Sequence, residues 1–570
     1  MKKTASIEST ADAYLELLAA RGVDFLFANA GTDFAPLIEA YARRQANGLA
    51  CPKPITVPHE IPAVAMAHGH AMVSGKPQAV MVHVIVGAAN ALGGIINAAR
   101  SQVPILFTAG RTPITEAGMA GSRDRPIHWA QEAFDQGGLA REFVKWDYEL
   151  RNFVQLETVV DRALAIARSE PAGPVYLTLP REVLAEHHES FEYADPSVLA
   201  PNGPTVAGPE EIATTARLLA AARSPIILTK AGGRDSRAVP ALVALAETLG
   251  APVFEDSFRT YLNFPQDHPL HAGFDPGSHL ATADVVLVVE ADAPWFPALR
   301  RPGPQARIIQ IGQDPLYSRY PVRGFPTDGA HAGAPRLTLA ALAAAVKPLV
   351  DAKVVAERRK KWEGEAAQNR AVVEKRANAV SKDSPIDMAW ASKCVADCVD
   401  DDTIVVNEYD LESSQTRMRV PGSYFASSPA GGLGWALGAA LGARLAAPGK
   451  TVISCMGDGT YIFGSPTPSH WVSRAYQIPA LFVIFNNPAW NAVKHSVASL
   501  AKDGWAMRAE TMPLYQLDPA PDYEMVCRAS GGWGEKVEDP GALAGVLKKA
   551  LDVVRNEKRQ ALVNIICKKP

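Results

Sequence analysis

Apolar residues along this chain gather in short, nearly unbroken runs separated by longer stretches of helical periodicity. The runs are FLFAN (25–29), AVMVHVIV (79–86), PILFTAG (104–110), PVYLTLP (174–180), PIILTKA (225–231) and VVLVVEA (285–291). They continue with RIIQIG (307–312), TIVVNE (403–408), TVISCMGDG (451–459), PALFVIFNN (479–487) and LVNIICK (562–568). Most are continuous rather than alternating, as in strands of parallel sheets covered by helices on both faces. The segments between them are long enough for right-handed crossovers. The expected fold class is α/β, with doubly wound parallel sheets repeated more than once.

Two stretches break the pattern. Residues 190–210 are rich in Pro, Gly and Asp, as in a linker. Residues 350–384 are charged and helix-prone, as in a solvated connecting helix, with an anionic binding patch as the alternative. Three units are therefore expected, at 1–190, 205–345 and 380–570. In the middle one, KAGGRDS follows a strand directly. This is a weak nucleotide-loop signal, or a plain strand-to-helix turn, because the full G-x-G-x-x-G spacing is missing.

Composition narrows the function classes. Of 570 residues, 57 are Lys or Arg and 60 are Asp or Glu, for a formal charge of -3. No basic excess exists to neutralise nucleic-acid phosphates. No apolar run reaches the length of a membrane span, and the N-terminus lacks the apolar core of a secretory signal. The six cysteines form no disulfide framework. Cys394 and Cys398 stand four apart in a predicted helix with no further ligand nearby, so buried thiols in a reducing cytoplasm are expected.

The most informative segment runs from 456 to 487. One buried strand ends in Gly457-Asp458-Gly459 and the next in Asn486-Asn487, with 26 residues between the two motifs. Loops at the carboxyl ends of neighbouring parallel strands share one crevice. Asp458 and Asn487 would bring a carboxylate and an amide oxygen together there, and Mg²⁺ prefers such hard ligands alongside diphosphate oxygens. The glycines would let the backbone approach the phosphates, with N–H groups including that of Thr460 aimed at the anion.

This arrangement resembles the signature of thiamine diphosphate-dependent enzymes. The resemblance extends over nearly the whole chain, in the order pyrimidine-binding, central and diphosphate-binding domain. It is greatest to the branch holding benzoylformate decarboxylase, acetolactate synthase and the 2-hydroxyacyl-CoA lyases. It implies thiamine diphosphate and Mg²⁺ as cofactors, with Asp458, Asn487 and the carbonyl of Ala489 as metal ligands. Gly457, Gly459, Thr460 and Trp490 would line the cofactor. In GGLGWALG (431–438), Leu433 would prop it in its bent form and the Gly431 carbonyl would accept from its amino group. The resemblance leaves FAD or ADP in the central unit open, and the motifs here give neither any support. The resemblance also implies a homodimer or homotetramer with the cofactor between subunits.

The same comparison assigns proton-handling residues. Glu60 opens a helical pattern, where a glutamate ordinarily serves the helix dipole or a cap. Its position matches the family's cofactor-activating glutamate, and a carboxyl group in an apolar place suits that task. His83, read alone, is a core residue or a proton-transfer group. Its segment is similar to benzoylformate decarboxylase, which implies proton transfer. Thr32 matches a substrate-carboxylate-binding serine, with a turn or cap as the alternative. Gln131 and Glu132 match a segment bordering the active site, or else form a polar surface helix. His68 and His70 read as structural or surface residues.

Several positions depart from the family pattern. The loop ADAPWFPAL (291–299) lacks the second histidine of benzoylformate decarboxylase, and Trp295 or Phe296 would shape an apolar pocket instead. Asp410 and Leu411 replace hydroxyl residues near the diphosphate, where Asp410 would be repulsive and the loop would take another course. Beyond Asn487, Val493 and Ser496 are small and His495 would supply a proton donor. The prolines of GSPTPSH (464–470) would delay the helix after Gly459. The chain closes at ICKKP without the lid segment common in CoA-using lyases.

The expected activity is decarboxylation of a 2-oxo acid with an apolar side chain. Acetolactate synthase-like carboligation and 2-hydroxyacyl-CoA lyase activity are the alternatives, and a catalytically silent cofactor-binding protein is a remote one.

Overall fold

A computed structural model describes residues 1–569. Three six-stranded sheets dominate it, and every strand pair within them is parallel. The first sheet runs, from edge to edge, Lys53–Thr56, Phe25–Ala28, Ala79–Val82, Leu106–Arg111, Val175–Pro180 and Asp147–Glu149. The third runs Tyr424–Ala426, Thr403–Glu408, Thr451–Gly457, Leu481–Asn486, Ala561–Ile566 and Trp533–Val537. The two share one order of succession: second, first, third, fourth, sixth, fifth. The central sheet runs His271–Gly273, Val253–Glu255, Pro225–Thr229, Val285–Val289, Arg307–Gly312 and Gly329–Ala332. Its order reverses between Pro225–Thr229 and Val285–Val289, where ligand crevices form in such sheets. The apolar runs are buried because helices cover both faces; all five residues of Val285–Val289 are inaccessible.

Three expectations change. Residues 190–194 are not linker: they form a strand paired antiparallel with Lys2–Ser6, from Lys2 against Ala194 to Ser6 against Ser190. The run 79–86 is not one strand. It ends at Val82, and a helix begins at Val84, inside the run, and continues to Arg100. Periodicity alone does not separate a short apolar strand from the first turn of a buried helix. After Gly457 the chain forms a helix at Asp458–Phe463, breaks at Ser465 with φ of +53°, and resumes over Pro466–Ala475. A proline begins that second helix because it lacks only an N–H that has no partner at a helix start.

The first and third sheets meet through two helices that follow equivalent edge strands, Glu60–Ser74 and Trp435–Ala446. Small residues allow their backbones to approach closely. A Cβ on Gly438 would lie 2.7 Å from both the Pro62 carbonyl oxygen and the Ala65 Cβ, and one on Gly442 would lie 2.9 Å from the His70 amide nitrogen. His68 and His70 are both buried in this packing, not on the surface. Burial lowers the His68 imidazole to about 3, and its ring stands edge-on to Trp435 at 5.5 Å.

A helix of 28 residues, Ala352–Ala379, straps the outside of the molecule. Only Trp362, Ala366 and Ala377 are buried along it. Trp362 packs edge-on against Phe254 and His279 of the central unit, while Arg376 pairs with Glu412 of the third. All six cysteines are free thiols. Among the described residues no helix is long and apolar enough to cross a membrane.

Candidate active site

Glu60 begins its helix but does not cap it. His59 does so, its Nδ1 accepting the Ile61 amide N–H at 3.2 Å. The Glu60 carboxylate is left free to turn into the protein, where it is 6% exposed. Two side-chain amides hold it: Asn29 Nδ2 donates to Oε1 at 2.8 Å and Asn90 Nδ2 to Oε2 at 3.3 Å. Gly87 leaves room for it, since a Cβ there would lie 3.3 Å from Oε1. Neither amide was singled out from the sequence. Asn29 closes the FLFAN run, and Asn90 lies on the helix Val84–Arg100.

The helix carrying Asn90 also reaches the third sheet. Asn97, two turns further on, donates from Nδ2 to the Gly432 carbonyl at 2.7 Å and accepts the Gly432 N–H on Oδ1 at 3.1 Å. One helix therefore holds the Glu60 carboxylate and pins the loop bearing Gly431 and Leu433. That loop turns through left-handed backbone at Gly431 (φ +70°) and Gly434 (φ +83°). Leu433 is half-buried. Glu408, which the sequence reading passed over, accepts the Gly434 and Ala436 amides at 2.9 and 2.7 Å. Burial pushes its carboxyl up to about 8 despite those bonds.

His83 sits between two partners. Its Nδ1 lies 2.5 Å from Asp33 Oδ1, and its Nε2 lies 3.2 Å from Gln131 Nε2. The hydrogen bond to Asp33 raises the imidazole above its ordinary value, against the lowering effect of burial. Asp33 is 3% exposed and also accepts the Val84 amide. Val84 itself has φ of +35°, a costly conformation for a β-branched residue. Thr32 begins the tight turn that contains Asp33, and its hydroxyl accepts from Arg123. The structure thus brings Thr32, His83 and Gln131 together and adds Asp33 and Arg123. Glu132 points elsewhere, to Arg111 at 3.0 Å and to Thr112.

Asp458 and Asn487 lie at the carboxyl ends of adjacent strands and are 1% and 2% exposed. The loops meet: the backbone N–H of Ala489 faces the Asp458 carboxylate and favours its charged form. Burial raises that carboxyl to about 6. Asp458 Oδ2 and Asn487 Oδ1 are both buried without a hydrogen-bond partner. Two buried oxygens left without partners at neighbouring strand ends are costly unless something binds them. Among the described residues no cluster of three His, Cys, Asp or Glu side chains forms a metal cage. A set of one carboxylate, one amide oxygen and one carbonyl suits a small hard cation that keeps its other ligands from phosphate.

Each of the two glycines in the motif has a protein side chain against it. The space beside Gly457 is taken by Asp410, whose Oδ2 lies 2.5 Å from where a Cβ would be. The space beside Gly459 is taken by the Trp490 ring, at 2.5 Å. Each glycine admits a protein neighbour, and Asp410 is held against the motif instead of turning away. Burial, with the Asp458 charge adding to it, pushes the Asp410 carboxyl up to about 7. Thr460 is buried in the short helix that Asp458 opens. His495 and Val493 are exposed on a helix, Asn491–Leu500, that has no buried residue.

In the central unit, the glycine pair is a packed turn. Gly233 donates its N–H to Asn263 Oδ1 at 2.9 Å, and the neighbouring Lys230 ammonium is locked to Asp292 at 2.7 Å.

Three family models match the chain in sequence order. They are the N-terminal TPP-binding domain of thiamine pyrophosphate enzymes over residues 8–139, the central domain over 212–342 and the C-terminal TPP-binding domain over 409–565. The chain is 27% identical over 493 residues to benzoylformate decarboxylase of Pseudomonas aeruginosa, covering 84% of this chain and 86% of that protein. It is 28% identical over 591 residues to sulfoacetaldehyde acetyltransferase of Castellaniella defragrans, covering 98% and 92%. Its fold matches the thiamine diphosphate-dependent 4-hydroxybenzoylformate decarboxylase of Rhodococcus jostii RHA1, with a TM-score of 0.79 at 24% identity and 99% of each chain covered. With all three domains present in the same order, the chain belongs to the thiamine pyrophosphate-dependent enzyme family.

Proposed function

We propose that this protein is a thiamine diphosphate- and Mg²⁺-dependent enzyme that decarboxylates a 2-oxo acid. The observation that carries this reading is the buried Glu60 carboxylate, held by Asn29 and by Asn90, whose helix also grips the Gly431–Leu433 loop through Asn97. Thiamine diphosphate supplies a carbon nucleophile and an electron sink when bound. Glu60 would share a proton with its pyrimidine nitrogen, and the Gly431 carbonyl would accept from its amino group. Asp458, Asn487 and the Ala489 carbonyl would hold Mg²⁺. Trp490 and Thr460 would line the diphosphate.

On the substrate side, Thr32 with Arg123 would hold the carboxylate. His83 would deliver or take up a proton at Nε2, oriented by Asp33 on Nδ1 and by Gln131. A carboxylate on one ring nitrogen fixes the tautomer that the other presents. The active unit would be a homodimer or larger homo-oligomer.

Carboligation is a second reading, favoured by an open hollow of about 590 Å³ beside Thr32. Arg123, Arg125 and Arg181 face it with a single acid, Asp124, and Arg181 Nε is buried there without a partner. Such a hollow suits an anionic acceptor.

The test is exchange of the cofactor's C2 hydrogen for deuterium on the wild-type holoenzyme and on Glu60→Gln. Loss of a general acid–base group should slow exchange by about 10²- to 10⁴-fold. Equal rates in the two proteins would refute the role of Glu60. Carbon dioxide release from a panel of 2-oxo acids, with and without aldehyde acceptors, then separates decarboxylation from ligation.

A further inference from the structure

Beside the strand reversal of the central sheet lies a cavity of about 360 Å³. Its walls are mainly apolar: Phe254, Phe274, Leu280, Trp295, Phe296 and Leu299. A second cavity of about 250 Å³ lies between the central unit and the Asn407–Pro429 stretch of the third. Asp256, Ser257 and Phe296 line both, so the two adjoin at those residues.

The junction is aromatic. Phe258 meets Phe296 and Tyr409 edge to face, with centroids 6.5 Å apart in each pair. These three rings are 54%, 48% and 43% exposed, an unusual amount of open aromatic surface to converge in one hollow. The second cavity ends at the candidate active site. Ser428, which lines it, accepts the Gly431 N–H at 3.1 Å, and the Tyr409 hydroxyl would lie 3.5 Å from a Cβ on Gly431.

The crevice is poorly furnished for a nucleotide. The Gly233 N–H and the Lys230 ammonium are already engaged, and Asp256 stands at the junction. Arg300, at the rim, is paired with Asp275. The first cavity has aromatic and aliphatic walls, and in the more polar second one Lys230 and Arg259 are already paired with Asp292 and Glu255, which leaves its aromatic rings to meet an apolar ligand body.

We propose that the two cavities form one trough for a long apolar tail of the substrate, an alkyl or aryl-alkyl chain whose 2-oxo acid head lies at the Gly431 end. Phe258, Phe296 and Tyr409 guide the tail from the reacting end into the central unit. The chemistry at the head rests on the function proposed above; binding of the tail does not.

Two measurements test this. In the first, calorimetry on the purified protein follows unreactive saturated and phenyl-substituted carboxylic acids of increasing chain length. Affinity should rise about fourfold per added methylene, the gain for burying one CH₂, with a negative heat-capacity change. In the second, kcat/KM is compared across unbranched 2-oxo acids from short to long, and it should climb with a similar slope. Ser257→Trp, at an exposed position on the junction, should flatten both slopes beyond the length that reaches it. Phe296→Ala should weaken long chains more than short ones. A flat affinity profile in wild type, slopes unchanged in Ser257→Trp, or ADP or FAD bound in this crevice would overturn the proposal. Rising affinity in a protein that shows no C2 exchange would leave the trough standing and remove the thiamine chemistry.

Discussion

Replacing Gly442 with alanine tests whether the helix pair joining the first and third sheets is held at backbone contact. In an unconstrained helix the change is favourable, because alanine is better than glycine by about 1 kcal/mol. Gly364 provides that reference: it lies in the strap helix Ala352–Ala379, and a Cβ there meets nothing within 4 Å. At Gly442 the added carbon would lie 2.8 Å from the Met66 carbonyl carbon and 2.9 Å from the His70 amide nitrogen, and closer still to the Met66 carbonyl oxygen. Ordinary contact begins near 3.4 Å, and the obstructing atoms are backbone with no rotamer to yield. Overpacking of this kind costs about 1–3 kcal/mol, and a rigid wall places it at the upper end. Subtracting the helical gain leaves a net loss of about 2 kcal/mol for Gly442→Ala, against a gain of about 0.5–1 kcal/mol for Gly364→Ala. Thermal midpoints of the two variants should therefore move in opposite directions. Amide exchange should accelerate in Glu60–Ser74 and Trp435–Ala446 of the first variant only. If Gly442→Ala melts as high as Gly364→Ala, the close approach of these helices is wrong.

Other outcomes follow from the site. Asp33→Asn removes the bond that raises the His83 imidazole, so its NMR titration should move to lower pH. The stability that pair contributes is fully present below the unfolded imidazole value, near 6.5, and is lost as pH rises through the folded one. Wild-type melting should show that loss and Asp33→Asn should not. Asn487→Ala should weaken thiamine diphosphate binding in Mg²⁺ about tenfold or more, the equivalent of about 1.4 kcal/mol; unchanged calorimetric affinity would remove the residue from the metal set. Gly459→Ala should displace the Trp490 ring, visible as a shift in tryptophan emission; unchanged emission would show that the ring does not fill the space beside Gly459. Asn97→Ala should slow C2 exchange without changing Asp458 or Asn487, because it frees the Gly431–Leu433 loop from the helix that carries Asn90.

Much of the α/β architecture was legible because buried parallel strands write themselves as apolar runs. The short edge strands were not. Asp147–Glu149 and Tyr424–Ala426 are three residues each, held by a neighbour's ladder and not by their own pattern. His83 was visible as a histidine in an apolar setting, but Asp33 is fifty positions away and reaches it only through the fold. Asn29, Asn90 and Asn97 left no signal, since a lone asparagine is equally at home in any turn. The glycines around Asp458 were easy to notice and hard to interpret: sequence shows that a side chain is missing, while the space it leaves is defined by Asp410 and Trp490, 47 and 31 positions from their glycines.

The strap helix Ala352–Ala379 acts as a ruler. At 1.5 Å per residue its 28 residues measure about 42 Å, and it touches the central unit near Trp362 and the third near Arg376. A single inserted residue between those points would swing one anchorage by about 100° around the rod while lengthening it by only about 1.5 Å. Seven would restore the bearing to within about 20° and lengthen the span by about 10 Å. Natural variation in this stretch should therefore favour substitution over insertion, and where length does change it should change by whole turns.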